Sequence, residues 1–444
     1  MQNLFKDFQY PSKEQWIETL TKELKGADFA TSLIKNDEIE GISYPSFFHK
    51  DDVENRAEMP GKFPYSRGFY SEINDWSIVG EILVSDEKKA NSKALELLMN
   101  GNTALNFEFV KQENLDFTLL FKDIKFEFIK VFFKTQNTVL LKKIKTYFEE
   151  NVFSEILFSF NPLSEKQQLN SSDFVEIKNG LSRNFEVDAY SIQQAGANVS
   201  QEIAFALSLG HEYLAQQITL GKTVDDALVN IHFTFGVGSN FLFEIAKLRA
   251  FRLLWSKIAR TYEPVHKCNE TASITSKTGF LNKSLKDPFT NLLRQTTEVM
   301  SAVLGGATQI INQSYDKDSL DQSSNFTERM AGNISLILKE ESYLNQVLDA
   351  VGGSYAIESL TETFANKAWN LFQENEKSSE LFSSDFLENI KLTSANRISL
   401  FKEKKKTLIG INIFPNPEKS NLEWKENNAL YFGLKQVVIE NEIN

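Results

Sequence analysis

The sequence predicts an α/β fold, a (β/α)8 TIM barrel with an N-terminal arm and a short C-terminal tail, on three observations. The first is the stretch from Val229 to Trp255. Val229, Ile231, Phe233 and Phe235 alternate with Asn230, His232 and Thr234, the period of a strand. A Gly236-Val237-Gly238 turn follows, with Ser239 or Asn240 as N-cap. Phe241, Ile245, Leu248, Phe251 and Trp255 then step by three and four, as one helix face does. Glu244 and Lys247 are spaced to pair on the surface of that helix. The second observation is recurrence: about eight such strand-then-helix units fit between residues 77 and 375, the span of a (β/α)8 barrel. The third is that no G-x-G-x-x-G follows the first strand. A doubly wound sheet, the structural alternative, therefore lacks its phosphate-binding fingerprint.

Taken in order, residues 1–60 form the arm. Ser12 caps a helix carrying Trp16, Leu20 and Leu24 at four-residue steps, and Lys25-Gly26 ends it. An extended, turn-rich run passes through Tyr44 to Phe47 and Asp51-Asp52. The barrel occupies 61–378. Its strands are expected at 77–84, 104–109, 125–133, 155–160, 185–190, 229–235, 271–276 and 309–313, with 115–123 ambiguous. Helices are expected at 87–100, 138–150, 199–220, from 241, 288–304, 325–341 and 354–375. Gly305-Gly306 and Gly352-Gly353 read as tight turns. The tail, 379–444, is expected to be helical and then a truncated linker, too short beyond Pro417 for a further domain. Its Lys402 to Lys406 cluster reads as a solvated helix face.

With 41% hydrophobic residues and 37 phenylalanines the chain can bury a large core. Its net charge of −12 argues against nucleic-acid and anionic-membrane partners. Cys268 is the single cysteine, which excludes a disulfide framework and a cysteine metal site and points to a reducing compartment. Met1–Tyr10 has no apolar signal core, and no run is long enough to span a bilayer. A cytoplasmic protein is expected.

In a barrel, chemistry sits where strands end. Asp188-Ala189-Tyr190-Ser191 closes the fifth strand, and Tyr190 there serves as packing or as a proton donor. Gly236 and Gly238 precede a helix N-terminus, where backbone N–H groups can hold a phosphate, although turn geometry explains them equally well. Lys277 closes the seventh strand after Thr275 and Ser276; solvation is the plainer expectation for it than a phosphate contact. His49, His211, His232 and His266 have no metal-ligand spacing, and His232 reads as a hydrogen-bonded interior residue. No nucleophile elbow or P-loop is present.

Longer strings say more. Phe243 to Arg252 (FEIAKLRAFR) resembles an E-I-A-K-L-R-A-x-R signature, and Tyr190 to Ala197 (YSIQQAGA) resembles Y-H-x-x-E-A-G-A. Asp287 to Glu298, Phe326 to Glu341 and Asp349 to Thr361 are similar in the same order, as are Trp16, Glu23 to Gly26 and Glu40 to Ile42 in the arm. These strings resemble the methylmalonyl-CoA mutase family over nearly the whole chain. The resemblance implies a barrel that binds a CoA thioester along its axis, joined to a cobalamin-binding domain. The implied reaction is a radical rearrangement between methylmalonyl-CoA and succinyl-CoA. Where the family carries Tyr-His, this chain has Tyr190-Ser191; where it carries H-x-Q, Thr275-Ser276-Lys277 is the matching string. The D-x-H-x-x-G string of the cobalamin domain does not occur. The resemblance therefore implies a small, non-catalytic subunit with no catalytic, cofactor-binding or metal residues of its own. Adenosylcobalamin would sit in a large catalytic partner subunit. Two other readings remain: a barrel that binds an acyl-CoA and works with a cobalamin domain in trans, and a regulator with a vestigial acyl-CoA channel.

Overall fold

Eight short segments rich in β-branched and aromatic residues pair in parallel and close into a ring. The computed structural model describes residue 7 and residues 11–53, 58–69, 72–110, 113–175, 177, 180–320, 324–418, 420–426 and 428–443. Strands β1 (Ser77–Val84), β2 (Ala104–Phe109), β3 (Lys130–Lys134) and β4 (Glu155–Ser159) pair in chain order. Strand β5 comes in two pieces, Leu181–Arg183 and Phe185–Asp188. The first pairs with β4 and the second with β6 (Ile231–Val237). Between them Asn184 is tied to Asn230 by backbone and side-chain bonds, both 2.9 Å. Strand β7 (Ile274–Thr278) joins β6 to β8 (Gln309–Ile311), and β8 pairs back onto β1. That closes the expected (β/α)8 barrel.

The helices are α1 (Glu87–Met99), α2 (Thr138–Glu149), α3 (Ala189–Gln194), α4 (Val199–Thr219), α5 (Phe241–Thr261), α6 (Thr290–Leu304), α7 (Asn325–Leu336), α8 (Tyr355–Asn375) and α9 (Ser384–Lys402). Side chains of Asp86, Asn137, Asn198, Asn240, Ser324 and Ser383 cap six of them, each accepting an otherwise unpaired backbone N–H. The outward strand residues Phe233 and Phe235 pack edge-on to Phe251 and Trp255 of α5, at 4.7–4.8 Å between ring centres.

Several boundaries differ from expectation. Val229 ends a short helix (Val224–Val229), so β6 starts at Ile231. Residues Phe126–Phe128 make a 3-10 turn before β3, and the ambiguous 115–123 run holds a short helix (Phe117–Leu120). Strand β5 stops at Asp188 because its carboxylate accepts the Ser191 N–H at 3.0 Å and caps α3. Glu244 and Lys247 do pair, at 2.5 Å, but in the interior rather than on the surface, because α4 and α8 cover that side of α5.

The arm helix Lys13–Glu23 has the Ser12 cap, and Lys25 and Gly26 take positive φ (51° and 92°) to leave it. None of its residues is buried. From Asp37 onward the arm lies on its own barrel: Glu40 accepts the Val199 N–H at 2.9 Å, and Tyr44 packs against Phe243. Arg252 donates to the carbonyls of Tyr65 and Ser66. Met1–Tyr10, apart from residue 7, and residues 54–57 of the arm lie outside the described residues. Among the described residues no helix is long and apolar enough to cross a membrane.

Candidate functional site: the barrel axis and its C-terminal mouth

Alternation along each strand sends every second residue into the ring. The middle layer is apolar: Val79, Ala104, Phe132, Leu157 and Ile311 form one buried cluster. His232 lies against Phe132, with ring centres 6.3 Å apart. It is fully buried, its Nε2 2.9 Å from the Phe158 carbonyl. Burial pushes its pKa down to about 4, so the ring is neutral. Below this layer Glu155 takes Arg183 at 2.8 Å and Lys130 at 3.1 Å. Large side chains and ion pairs thus occupy the axis.

The layer above, at the mouth, is charged. Lys277 points inward and its Nζ is 2.9 Å from Glu81 Oε1; its side chain is only 12% exposed. The expectation of a solvated Lys277 is therefore wrong, because Glu81 on the neighbouring inner face supplies a carboxylate. Burial opposes the Glu81 charge, but Lys277 and Lys317 outweigh it and hold the carboxyl below its usual range. Lys277 is correspondingly held protonated. Tyr190 stands at the start of α3, its hydroxyl 3.5 Å from Gln313 Oε1, with Lys277 Nζ 5.1 Å from its ring centre. Burial raises its pKa, so the phenol keeps its proton. Ser191 Oγ donates to Asp188 Oδ2 at 2.6 Å. Asp188 is raised to about 6 by burial and by Glu186, whose own carboxyl is raised by burial and accepts from Thr234 at 2.5 Å. Thr275 is buried one layer down, in register with Gln309. The structure therefore brings Tyr190 and Lys277 together, gives Ser191 to its own cap, and leaves Thr275 below the mouth.

Sequence reasoning missed Glu81 and Gln313. The signal for Glu81 was available: it is the one charge in the apolar run SIVGEILV. The Gly236–Gly238 turn meets a carboxylate of the protein itself. Gly236 N–H donates to Glu202 at 2.9 Å, and its carbonyl accepts from Lys247 at 2.8 Å. Burial pushes Glu202 up to about 8, while Glu202 and Glu244 together outweigh burial and raise Lys247.

The four histidines lie apart from one another, each with its own partner. His49 accepts the Asp51 N–H, His211 bridges Glu376 and Tyr262, and His266 meets Asp225. No group of three His, Cys, Asp or Glu that could hold a metal ion occurs among the described residues.

The C-terminal tail runs over this mouth. Lys425 N–H donates to Asp318 and Leu320 N–H to Glu423, in the loop after β8. Tyr431 bonds Asn161 after β4, and Gln436 reaches Ser191 after β5. Val437 N–H donates to Gln194, and Ile439 N–H to Leu281 after β7. The expected helical tail is thus α9 followed by a mostly irregular crossing segment with one small hairpin, Leu430–Tyr431 with Leu434–Lys435.

A closed (β/α)8 barrel with its inner polar groups gathered at the C-terminal mouth is the architecture of barrel enzymes and their relatives. The chain belongs to the methylmalonyl-CoA mutase family, whose model matches residues 162–437. It is 32% identical over 447 aligned residues to the methylmalonyl-CoA mutase small subunit of Porphyromonas gingivalis, covering 94% of this chain and 71% of that one. The small subunit from Propionibacterium freudenreichii subsp. shermanii is 25% identical, with the same two coverages. A methylmalonyl-CoA mutase of Rhizobium meliloti is 38% identical over 190 residues, 43% of this chain and 26% of the relative.

Proposed function

We propose that this chain is the small, non-catalytic subunit of a methylmalonyl-CoA mutase, stabilising a large subunit that binds adenosylcobalamin and interconverts methylmalonyl-CoA and succinyl-CoA. One observation carries the reading: the polar groups at the mouth are spent on each other. Polarising a thioester carbonyl needs a donor aimed at empty space where charge develops. Here Ser191 Oγ serves Asp188 and Lys277 Nζ serves Glu81. The filled axis adds to this, since Phe132, Leu157 and His232 stand where an acyl-CoA would thread.

The chain's own residues do not fit a cobalamin. Its four histidines include none in D-x-H-x-x-G, and the imidazole inside the barrel is buried on a carbonyl. The corrin would belong to the partner, in the cytoplasm, and this chain would contribute an obligate interface, of above about 2,000 Å². Co-expression with a longer family member carrying Tyr-His and D-x-H-x-x-G tests the proposal. The complex should co-purify and turn over, and this chain alone should not. Turnover by this chain alone, or after adding only an isolated cobalamin-binding domain, would overturn it.

A further inference from the structure

In the eight-strand ring, β8 and β4 lie on opposite sides. The tail bonds the loop after β8 at Lys425 and the loop after β4 at Tyr431. Six residues of chain reach about 20 Å at most, so residues 425–426 and 428–431 lie over the mouth between those two bonds. It then returns past β5 to the loop after β7, where Glu440 is nearly fully buried, 2% exposed. Among the described residues four donors reach the Glu440 carboxylate: Ser284 Oγ at 2.7 Å, Leu285 N–H at 2.9 Å, Lys286 N–H at 3.2 Å, and Trp424 Nε1 at 2.6 Å. Charge-assisted bonds of this kind are roughly twice as strong as neutral ones. Beside them Ile439 and Val437 pack with Leu281, Phe401 and Leu408. The latch therefore joins both ends of the crossing segment, since Trp424 and Glu440 flank it.

We infer that residues 423–426 and 428–440 form a built-in strap, latched by Glu440, that closes the C-terminal face of this barrel against the docking of another domain. In barrel proteins that face is where loops meet substrate and cofactor. A flat domain seated on the face would have to displace backbone bonds to three loops, the Asn161 contact and the four-donor latch. The strap rests on this chain's own contacts, so its test is separate from the co-purification above.

The test uses the full chain in a Cys268→Ser background. Leu281→Cys places a thiol beneath Ile439, and a maleimide reports whether it is covered. Labelling should be at least tenfold slower than that of the exposed Cys268 in the native protein, and Glu440→Ala should speed it at least tenfold. Trp424→Phe, which removes one donor, should give a smaller increase of two- to fivefold. Hydrogen exchange on the native chain needs no substitution: amides of Val437, Ile439 and Leu285 should be protected, and lose protection together in Glu440→Ala while the strands keep theirs. Free exchange across 424–440 in the native chain would overturn the strap. Labelling and exchange unchanged by Glu440→Ala would overturn the latch.

Discussion

His232 shows how one buried residue sets a pH dependence. Its folded pKa of about 4 lies below the ordinary value near 6.5. The unfolded chain therefore binds a proton between those values that the folded chain does not. The stability it permits is full above pH 6.5 and is lost as pH falls toward 4. Between pH 7.5 and 5 that is roughly 2 kcal/mol. Asp188 works in the opposite sense: with its pKa raised to about 6, its contribution is present at low pH and fades as pH rises through 6. A wild-type minus His232→Gln comparison by urea unfolding at both pH values isolates the histidine. An acid limb no shallower in the variant would count against the assignment. Lys277 makes a second residue-scale prediction. Lys277→Met removes the nearer of the two lysines paired with the Glu81 carboxylate, leaving Lys317 at 3.3 Å, and should cost roughly 3 kcal/mol. The double variant with Glu81→Gln should cost less than Lys277→Met alone, a coupling that denaturant midpoints would show. The sequence reading of Lys277 failed because its partner lies 196 residues away, on a strand whose inward register the reading did not fix.

Helix α5 was legible as a helix, and its apolar stripe was assigned correctly. Its other side was not, because charged residues in an amphipathic pattern point to solvent unless their partners are known. Lys247 finds Glu202 on α4 at 2.7 Å, and Arg249 finds Asp349 and Glu358 near the start of α8. Those partners come from distant segments and turn a surface stripe into a buried ion-pair seam. Strands were legible where alternation was clean, as in β2 and β6. They were misplaced by a few residues where a side-chain cap, such as Asp188, ended pairing early. The α4–α5 crossing yields an element-scale prediction. A Cβ at Gly210 would stand 2.9 Å from both Phe233 and Trp255 ring carbons. Helix propensity alone would favour Gly210→Ala by about 1 kcal/mol. Overpacking against two fully buried rings costs about 1–3 kcal/mol, so packing should win and lower the denaturant midpoint. A midpoint at or above wild type would show that the rings can move aside.

At the scale of the whole molecule, the arm divides into two parts with different energetics. From Asp37 its residues are bonded to the barrel, but neither of the first two helices, Lys13–Glu23 and Phe29–Leu33, buries a residue. Trp16 is 37% exposed, and among the described residues its ring packs against Phe47, 3.8 Å between centres. A chain that leaves part of an indole and an amphipathic helix face in water gains only part of the stability they could give. The gain comes when a second surface covers that face, and buried aromatic anchors commonly dominate such contacts. Trp16→Ala should therefore leave the unfolding midpoint of the lone chain nearly unchanged, within about 0.5 kcal/mol. It should weaken association with the proposed large subunit by more than about 1 kcal/mol, several-fold or more in Kd. The two readouts separate a partner contact from a structural one: lost stability with unchanged co-purification would place Trp16 among the residues that hold this chain's own fold. Full co-purification together with an unchanged midpoint would move the interface away from the arm, onto the helical faces of the barrel.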